Sequence, residues 1–247
     1  MSIEVTPIRG LSEIREGDPI GDLIARAAAI QPGDVVVASQ KAVSKAEGRT
    51  RRLADVQPAE RARDLAARLG KDPALVQAIL DESRSVVRAE GGVLITETHS
   101  GWICANAGID ASNVPDEGWV TLLPADPDAS ARAIRAEIRA VSGHAPGVVI
   151  SDSFGRPWRL GQADVAIGCA GLAPLDDWRG RPDRSGRELA ATVIATADEV
   201  AAAASLVRDK DAGVPAALVR GLADRVAESD GPGAAALQRP ADDDLFR

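Results

Sequence analysis

Short apolar runs bounded by Gly, Pro or Asp recur along this chain between segments with helical spacing. VVVAS (35–39) and GVVI (147–150) are the clearest, and each has the length and β-branched composition of a buried strand. DVAIGCAGL (164–172) has the same character, and we expect it to neighbour GVVI in a sheet. Strands and helices are mixed without strict alternation, which indicates an α+β or irregular α/β fold.

Three Asp-Pro pairs mark helix starts, because Asp is a preferred N-cap and Pro fits the first helical position. They begin at Asp18, Asp72 and Asp126, while Gly70 and Gly143 stand where two helices are expected to stop. The predicted helices cover 19–28, 58–69, 73–83, 127–142 and an Ala-rich stretch over about 188–207. Further strands are predicted within 84–98, after a hairpin turn at 99–101, and in PAALVRGL (215–222).

The chain of 247 residues is long enough for one large domain with its own core. From about Ala227 it becomes rich in Gly, Pro and Asp. We therefore expect residues 1–226 to form the domain and residues 227–247 to be a loosely ordered tail.

Charge and aromatic content argue against a nucleic-acid partner. The chain has 29 Lys and Arg against 37 Asp and Glu, a net charge of −8, whereas general nucleic-acid binders are basic. Aromatic residues make up 2%, too few for a platform that stacks on bases.

The chain is expected to be cytoplasmic and not to span a membrane. It has no run of 18 apolar residues, and its first residues lack the basic and apolar regions of a secretory signal. Cys104 and Cys169 lie in separate apolar stretches, which favours buried free thiols in a reducing compartment.

Two polar clusters are predicted to follow strands. The first, residues 39–52, places hydroxyls, lysines, arginines and a glycine directly after VVVAS, which suits an anion such as phosphate, although a Walker A loop is absent. A solvated basic turn is the alternative. The second, NAGIDASN (106–113), offers the oxygen ligands that hard cations prefer, or an Asx-turn in which Asp and Asn bond their own backbone.

Two further clusters lie later in the chain. SDSFGR (151–156) is predicted to form a loop at the carboxyl end of GVVI, where a carboxylate and a hydroxyl could hold Mg²⁺ or Mn²⁺ or merely cap the next turn. RDKDAGVP (208–215) could bind phosphate or complement the end of a helix. Taken together, the clusters indicate a metal- and phosphate-dependent enzyme.

Long strings of the sequence resemble the coenzyme F420-0:L-glutamate ligase family over essentially the whole chain. They are SKAEGR (44–49), NAGIDASNV (106–114), SDSFGRPWRLGQADVAIG (151–168), GREL (186–189), ADEVAAAA (197–204) and GVPAALVRG (213–221). The resemblance implies an α+β, mixed-sheet fold of two intertwined subdomains, acting as a homodimer.

The same resemblance implies a reaction. In it, GTP drives attachment of L-glutamate to the lactyl-phosphate side chain of the deazaflavin coenzyme F420-0, and further γ-linked glutamates follow in many members. GDP and phosphate are released. Mg²⁺ or Mn²⁺ is required, and a monovalent cation such as K⁺ assists.

The resemblance also implies site residues, position by position. Metal ligands would be Asp110, Asp152, Ser153 and Asp209. Catalytic roles would belong to Asp110 and Asp152, through the metal, and to Lys45, through the phosphates. Nucleotide contacts would come from Leu11, Ser12, Glu13, Ile14, Gln40, Lys41, Lys45, Asn113, Val207, Arg208, Lys210, Asp211, Ala212, Gly213 and Val214.

Two other functions stay open at this point. The same carboxylates could serve a metal-dependent phosphohydrolase that uses water. Alternatively, the chain could be a nucleotide-binding protein without catalysis, because relatives often carry small hydroxyl residues where this chain has Gln40 and Lys41, and its 208–212 loop also departs from theirs.

Overall fold

The computed structural model describes residues 2–112 and 117–244. The strands in this part of the chain are β1 (Glu4–Ile8), β2 (Val35–Ser39), β3 (Thr50–Arg52), β4 (Ser83–Glu90), β5 (Val93–Thr98), β6 (Ile103–Ala105), β7 (Trp119–Thr121), β8 (Gly147–Arg156), β9 (Arg159–Ala170), β10 (Asp176–Asp177), β11 (Val193–Ile194) and β12 (Ala216–Arg220). The α-helices are α1 (Ile20–Ala27), α2 (Gln40–Ala46), α3 (Glu60–Leu69), α4 (Pro73–Asp81), α5 (Pro127–Ser142) and α6 (Thr196–Ser205).

A mixed sheet with strand order β1-β12-β2-β8-β9 forms the centre of the fold. β2 and β8 are parallel, and the other neighbours are antiparallel. Side chains alternate between its faces, as the period of a strand requires. Val36 and Val148 belong to the core shared with α1 and α5, while Val37 and Val149 belong to the core shared with α6. The α+β class with a mixed sheet is confirmed.

A separate hydrophobic cluster lies under the antiparallel sheet β4-β5-β6. Leu65 of α3, Ile79 of α4 and Leu94 of β5 are buried together there. Ala107, three residues before Asp110, also belongs to this cluster. The second core therefore anchors the segment that carries a predicted metal ligand.

Most local predictions are confirmed. Asp72 and Asp126 accept hydrogen bonds from backbone N–H groups three residues on, and so cap α4 and α5. Gly70 and Gly143 end α3 and α5 with φ of 63° and 76°, in the left-handed region that glycine adopts freely. The cap expected from Asp18 is wrong, because its carboxylate accepts from Arg15 N at 2.8 Å and α1 begins after Pro19.

Two longer-range predictions are wrong. The Ala-rich helix does not run from 188 to 207, because residues 193–194 pair with β10 and α6 spans only Thr196–Ser205. SDSFGR is strand rather than loop, because β8 continues through Asp152 to Arg156 while it pairs with β9. The expected adjacency of GVVI and DVAIGCAGL is confirmed by this antiparallel hairpin.

The chain after Ala227 contacts α5. The Arg135 guanidinium donates to the carbonyl oxygens of Ala227 and Glu228 and lies 2.7 Å from an Asp230 carboxylate oxygen. Ala234 is buried. These contacts place residues 227–234 against the body of the fold.

Cys104 and Cys169 are buried free thiols, as expected. Burial raises the pKa of each to about 12, so both stay protonated near neutral pH. Across residues 2–112 and 117–244, none of the helices combines the length and apolar character that crossing a bilayer demands.

Candidate functional site

The parallel pair β2 and β8 brings two of the polar clusters to one sheet edge. Ser39 at the end of β2 lies opposite Ser151 of β8. Lys41 in the first turn of α2 therefore emerges at the level where β8 presents Asp152 and Ser153. Carboxyl ends of parallel strands are where ligands commonly bind in open sheets.

The backbone that leads to Asp110 makes a tight turn with three consecutive positive φ angles. Asn106 and Ala107 have φ of 54° and 53°, which few residues other than glycine adopt, and Gly108 follows at 70°. Asp110 then pairs with Thr121 through two backbone hydrogen bonds of 3.0 and 2.8 Å. The strained turn and this bridge together set the direction in which the Asp110 carboxylate points.

The two oxygens of Asp110 have different partners. Oδ1 accepts from Ser112 N at 2.5 Å, so the Asx-turn alternative is present in the structure. Oδ2 lies 2.8 Å from Lys41 Nζ, which also donates to Ser112 Oγ at 2.5 Å. Burial alone raises the pKa of Asp110, but the hydrogen bonds and charge of Lys41, together with Ser112, outweigh it and leave this pKa below its usual value.

The pKa of Asp152 is shifted in the opposite direction, above its usual value. Burial, with smaller contributions from the charges of Asp164 and Asp110, raises the pKa of this carboxyl to about 6. The Ser153 N–H and the Lys41 charge act in the other direction without cancelling the rise. Asp152 is therefore a carboxylate that would be stabilised by additional positive charge.

Asp164, which the sequence did not single out, joins this group across the β8–β9 hairpin. Its Oδ1 accepts from Ser153 Oγ at 2.6 Å and its Oδ2 from Ser151 Oγ at 3.0 Å. Ser153 and Asp164 are directly opposite in the register of the two strands. A carboxylate at the start of the DVAIG run was the available signal, but its partner depended on the register.

Arg208 and Lys210 approach the same hairpin from the loop after α6. The buried Arg208 guanidinium donates to Ser151 Oγ at 2.7 Å and to Asp164 Oδ2 at 2.8 Å. Lys210 Nζ donates to Ser153 Oγ at 2.6 Å. The predicted metal ligand Asp209 lies between them in an exposed turn, where its main-chain oxygen accepts from Ala212 N at 3.1 Å.

The remaining predicted nucleotide contacts are spread around this edge. Lys45 Nζ lies 2.6 Å from Glu13 Oε1, which joins α2 to the loop after β1. The Gln40 side chain is buried, its Oε1 accepts from Ser44 Oγ at 2.9 Å, and its Nε2 has no hydrogen-bond partner among the described residues. Leu11 and Ile14 pack on the core, and Ser12 is exposed.

In the loop after α6, Asp211, Ala212 and Gly213 are exposed, and Val207 and Val214 are half-buried. Asn113 lies outside the described residues.

The donor types suit hard divalent cations, since Asp110 and Asp152 offer carboxylate oxygens and Ser153 offers a hydroxyl oxygen. Asp152 and Ser153 are consecutive in β8, so their side chains point to opposite faces of the sheet. The raised pKa of Asp152 is the physical sign that cationic charge would be favourable there. Within residues 2–112 and 117–244, no three His, Cys, Asp or Glu side chains are arranged to hold a metal ion together. Lysine ammonium groups lie instead against Asp110 and Ser153.

The comparisons with known proteins agree with the family resemblance. The model of the F420-0:Gamma-glutamyl ligase family matches residues 10–221, and the chain belongs to this family. The resemblance of the quoted strings is thereby confirmed.

Individual relatives match along most or all of their length. The coenzyme F420:L-glutamate ligase of Methanothermobacter thermautotrophicus is 44% identical over 253 residues, covering all of both chains. The protein of that name from Methanopyrus kandleri is 43% identical over 248 residues, covering all of this chain and 98% of its own. The one from Haloarcula marismortui is 48% identical over 225 residues, covering 88% and 87%.

Proposed function

We propose that this protein joins L-glutamate to the side-chain carboxylate of coenzyme F420-0, with GTP as the energy source, in the biosynthesis of coenzyme F420. The observation that carries the proposal is the approach of Asp110 and Asp152 to one sheet edge, with Lys41 beside them, in a chain of this family. Relatives named coenzyme F420:L-glutamate ligase match essentially the whole chain, which supports the same substrates.

The chemistry requires an activated carboxyl group, because an unactivated carboxylate would have to expel an oxide. Transfer of the γ-phosphoryl group of GTP to the lactyl carboxylate forms an acyl phosphate and releases GDP. The amine of glutamate then attacks the acyl carbon and loses a proton, and phosphate leaves as the amide bond forms. Further γ-linked glutamates would be added by repeating the same two steps.

Asp110, Asp152, Ser153 and Asp209 are the residues we propose to hold Mg²⁺ or Mn²⁺, with K⁺ as an additional monovalent cation. When bound, the divalent cation supplies neutralising charge beside the transferring phosphoryl group. Asp110 would offer a carboxylate oxygen from the segment that bridges to Thr121, and Asp152 would offer one from β8. Ser153 would offer a hydroxyl oxygen on the other face of β8.

The basic side chains of the edge provide phosphate contacts. Lys45, now paired with the exposed Glu13, has an ammonium group that can turn to a phosphate without leaving a buried charge unpaired. Lys41 and Lys210 lie on the same edge, and with residues 11–14 and 207–214 they would surround GTP. Glutamate and F420-0 would bind beside the γ-phosphate.

We further propose that the active form is a cytoplasmic homodimer in which each chain contributes two intertwined subdomains. Enclosure of the site between subunits would keep water away from the acyl phosphate.

The test is to incubate purified protein with GTP, Mn²⁺, L-glutamate and F420-0, and to measure products by mass spectrometry. A mass gain of one or more glutamyl units, dependent on GTP, is the expected result. Folded protein that gives no such gain would contradict the proposal. Phosphate release that requires neither glutamate nor F420-0 would instead indicate a phosphohydrolase, and GTP binding without turnover would indicate a nucleotide-binding protein.

A further inference from the structure

Asp164 lies at the centre of a polar network behind the proposed cation site. Two serine hydroxyls, on Ser151 and Ser153, donate to its two carboxylate oxygens. Arg208 is ion-paired with the Oδ2 atom at 2.8 Å, and its side chain is only 5% exposed. The carboxylate is therefore held in one orientation by three donors from two parts of the chain.

Each serine hydroxyl has one proton and can therefore donate only one hydrogen bond. Ser153 Oγ uses its proton on Asp164, so only its lone pairs remain for any other partner. The structure shows one such partner, the Lys210 ammonium group, which donates to Ser153 Oγ at 2.6 Å. Ser153 thus presents an acceptor, and a cationic group already lies against it.

We propose that Asp164 is a positioning residue, which binds the Ser153 proton so that the hydroxyl oxygen faces the divalent cation as a ligand. This inference rests on the proposed function, because it assumes a divalent cation at the Ser153 hydroxyl. Arg208 keeps the Asp164 carboxylate in place, and Asp164 acts on the reaction through Ser153 alone.

The Asp164→Asn substitution distinguishes this role from simple packing. Arg208 can only donate, so the amide oxygen would stay with Arg208 and the NH₂ group would face Ser153. Ser153 would then accept from that NH₂ group, and its proton would point toward the cation. The side chain keeps its size while the direction of one hydrogen bond is reversed.

The experiment measures Mn²⁺ binding to the full chain by electron paramagnetic resonance of the free ion. We expect Asp164→Asn to weaken Mn²⁺ binding by about tenfold or more, as loss of a neighbour to a metal ligand commonly does. In a Ser153→Ala background the same substitution should change the affinity by less than about twofold, because the hydroxyl through which Asp164 acts is gone. Ser151→Ala removes one of the three donors to Asp164 but keeps the acceptor of the Ser153 proton, so it should weaken Mn²⁺ binding less than Asp164→Asn does.

Asp198→Asn is the matched control. Asp198 is also a carboxylate facing β9, where it accepts from Ala166 N at 2.9 Å, and it has no bond to Ser153 among its described contacts. Equal losses from Asp164→Asn and Asp198→Asn, or an equal loss with and without Ser153, would overturn the proposal. If Asp164→Asn does not fold by circular dichroism, Asp164→Glu replaces it in the same cycle, because the longer side chain displaces the acceptor from Ser153. A loss of Mn²⁺ affinity that disappears in the Ser153→Ala background would support the role, and a loss that persists there, or no loss, would overturn it.

The outcomes also separate this inference from the proposed function. If the unaltered protein makes glutamylated product and Asp164→Asn binds Mn²⁺ normally, the positioning role fails while the ligase proposal stands. If the unaltered protein neither binds Mn²⁺ nor makes product, both fail.

Discussion

Lys41 Nζ lies 2.8 Å from Asp110 Oδ2, so a proposed phosphate contact and a proposed metal ligand neutralise each other across the site. The side chains are 23% and 36% exposed, and Lys41 also donates to Ser112 Oγ. A divalent cation that binds Asp110 must compete with this ammonium group. Metal binding and release of Lys41 toward a phosphate are therefore linked by one ion pair.

Lys41→Met should strengthen binding of Mn²⁺ alone while it weakens binding of GTP. A partly exposed pair contributes at most about 1 kcal/mol, which corresponds to a gain of up to about fivefold in Mn²⁺ affinity. Isothermal titration with each ligand separately measures both effects. Lys45→Met is the control, because Lys45 pairs with Glu13 and its loss should leave Mn²⁺ affinity unchanged. Unchanged or weaker Mn²⁺ binding by Lys41→Met would contradict the competition.

Asp152→Asn should lower the rate of glutamylated product formation by at least about a hundredfold. The substitution keeps the size of the side chain but removes a charge that would balance the metal at the transferring phosphoryl group. Product mass at saturating Mn²⁺ measures the rate. Asp177→Asn, at an exposed carboxylate paired with Arg179, is the control that should keep its activity. A near-normal rate for Asp152→Asn would remove Asp152 from the site.

The raised pKa of Asp152 predicts that, with a chelator present, the contribution of this group to the free energy of unfolding decreases as the pH rises. The folded-state pKa is about 6 and the ordinary value is 3.8, so the native state holds the proton more tightly than the unfolded chain between these values. Stability from this group is therefore present below about pH 4 and is lost as the pH rises to about 6, by no more than about 3 kcal/mol. Urea unfolding of the unaltered protein and Asp152→Asn from pH 4 to 7 measures it. A difference between the two that stays constant with pH would contradict the shift.

Arg220→Met should destabilise the fold without acting on the site. Arg220 holds the carboxylate of Asp34, which is 1% exposed, through two hydrogen bonds of 2.8 and 2.9 Å. Loss of the guanidinium leaves a buried charge with fewer partners, which costs about 3 kcal/mol. Thermal unfolding measures the loss. Arg26→Met, which breaks a surface pair between neighbouring turns of α1, should leave the unfolding temperature almost unchanged.

Gly168→Ala should destabilise the packing of α5 on β9. A Cβ atom at Gly168 would overlap the backbone carbonyl of Pro127, which begins α5 and cannot move aside as a flexible side chain would. We expect a loss of roughly 3 kcal/mol in unfolding free energy. Gly155→Ala, in the same hairpin and with open space at its Cβ position, is the control expected to cost less than about 1 kcal/mol. Equal stabilities of the two variants would contradict the close approach of α5.

The two longer-range errors of the sequence reasoning share one cause. Residues 151–156 have the composition of a loop, and residues 188–195 have that of a helix, yet pairing with β9 and β10 places part of each segment in a strand. Strand pairing is a contact with residues elsewhere in the chain, so it overrides local propensity where the two disagree. The apolar run 35–39 needed no such partner to be identified as a strand.

Family membership, the α+β class, the capped starts of α4 and α5 and the strand that leads into the 39–52 cluster were determined by the sequence alone. These features depend on local hydrogen bonds, on apolar periodicity and on recognisable strings of residues. Only the tertiary structure decided that Lys41 forms an ion pair with Asp110. It also decided that Asp164 accepts hydrogen bonds from Ser151, Ser153 and Arg208. Such pairs follow from strand register and loop paths, because a shift of one residue would turn each of these side chains to the opposite face.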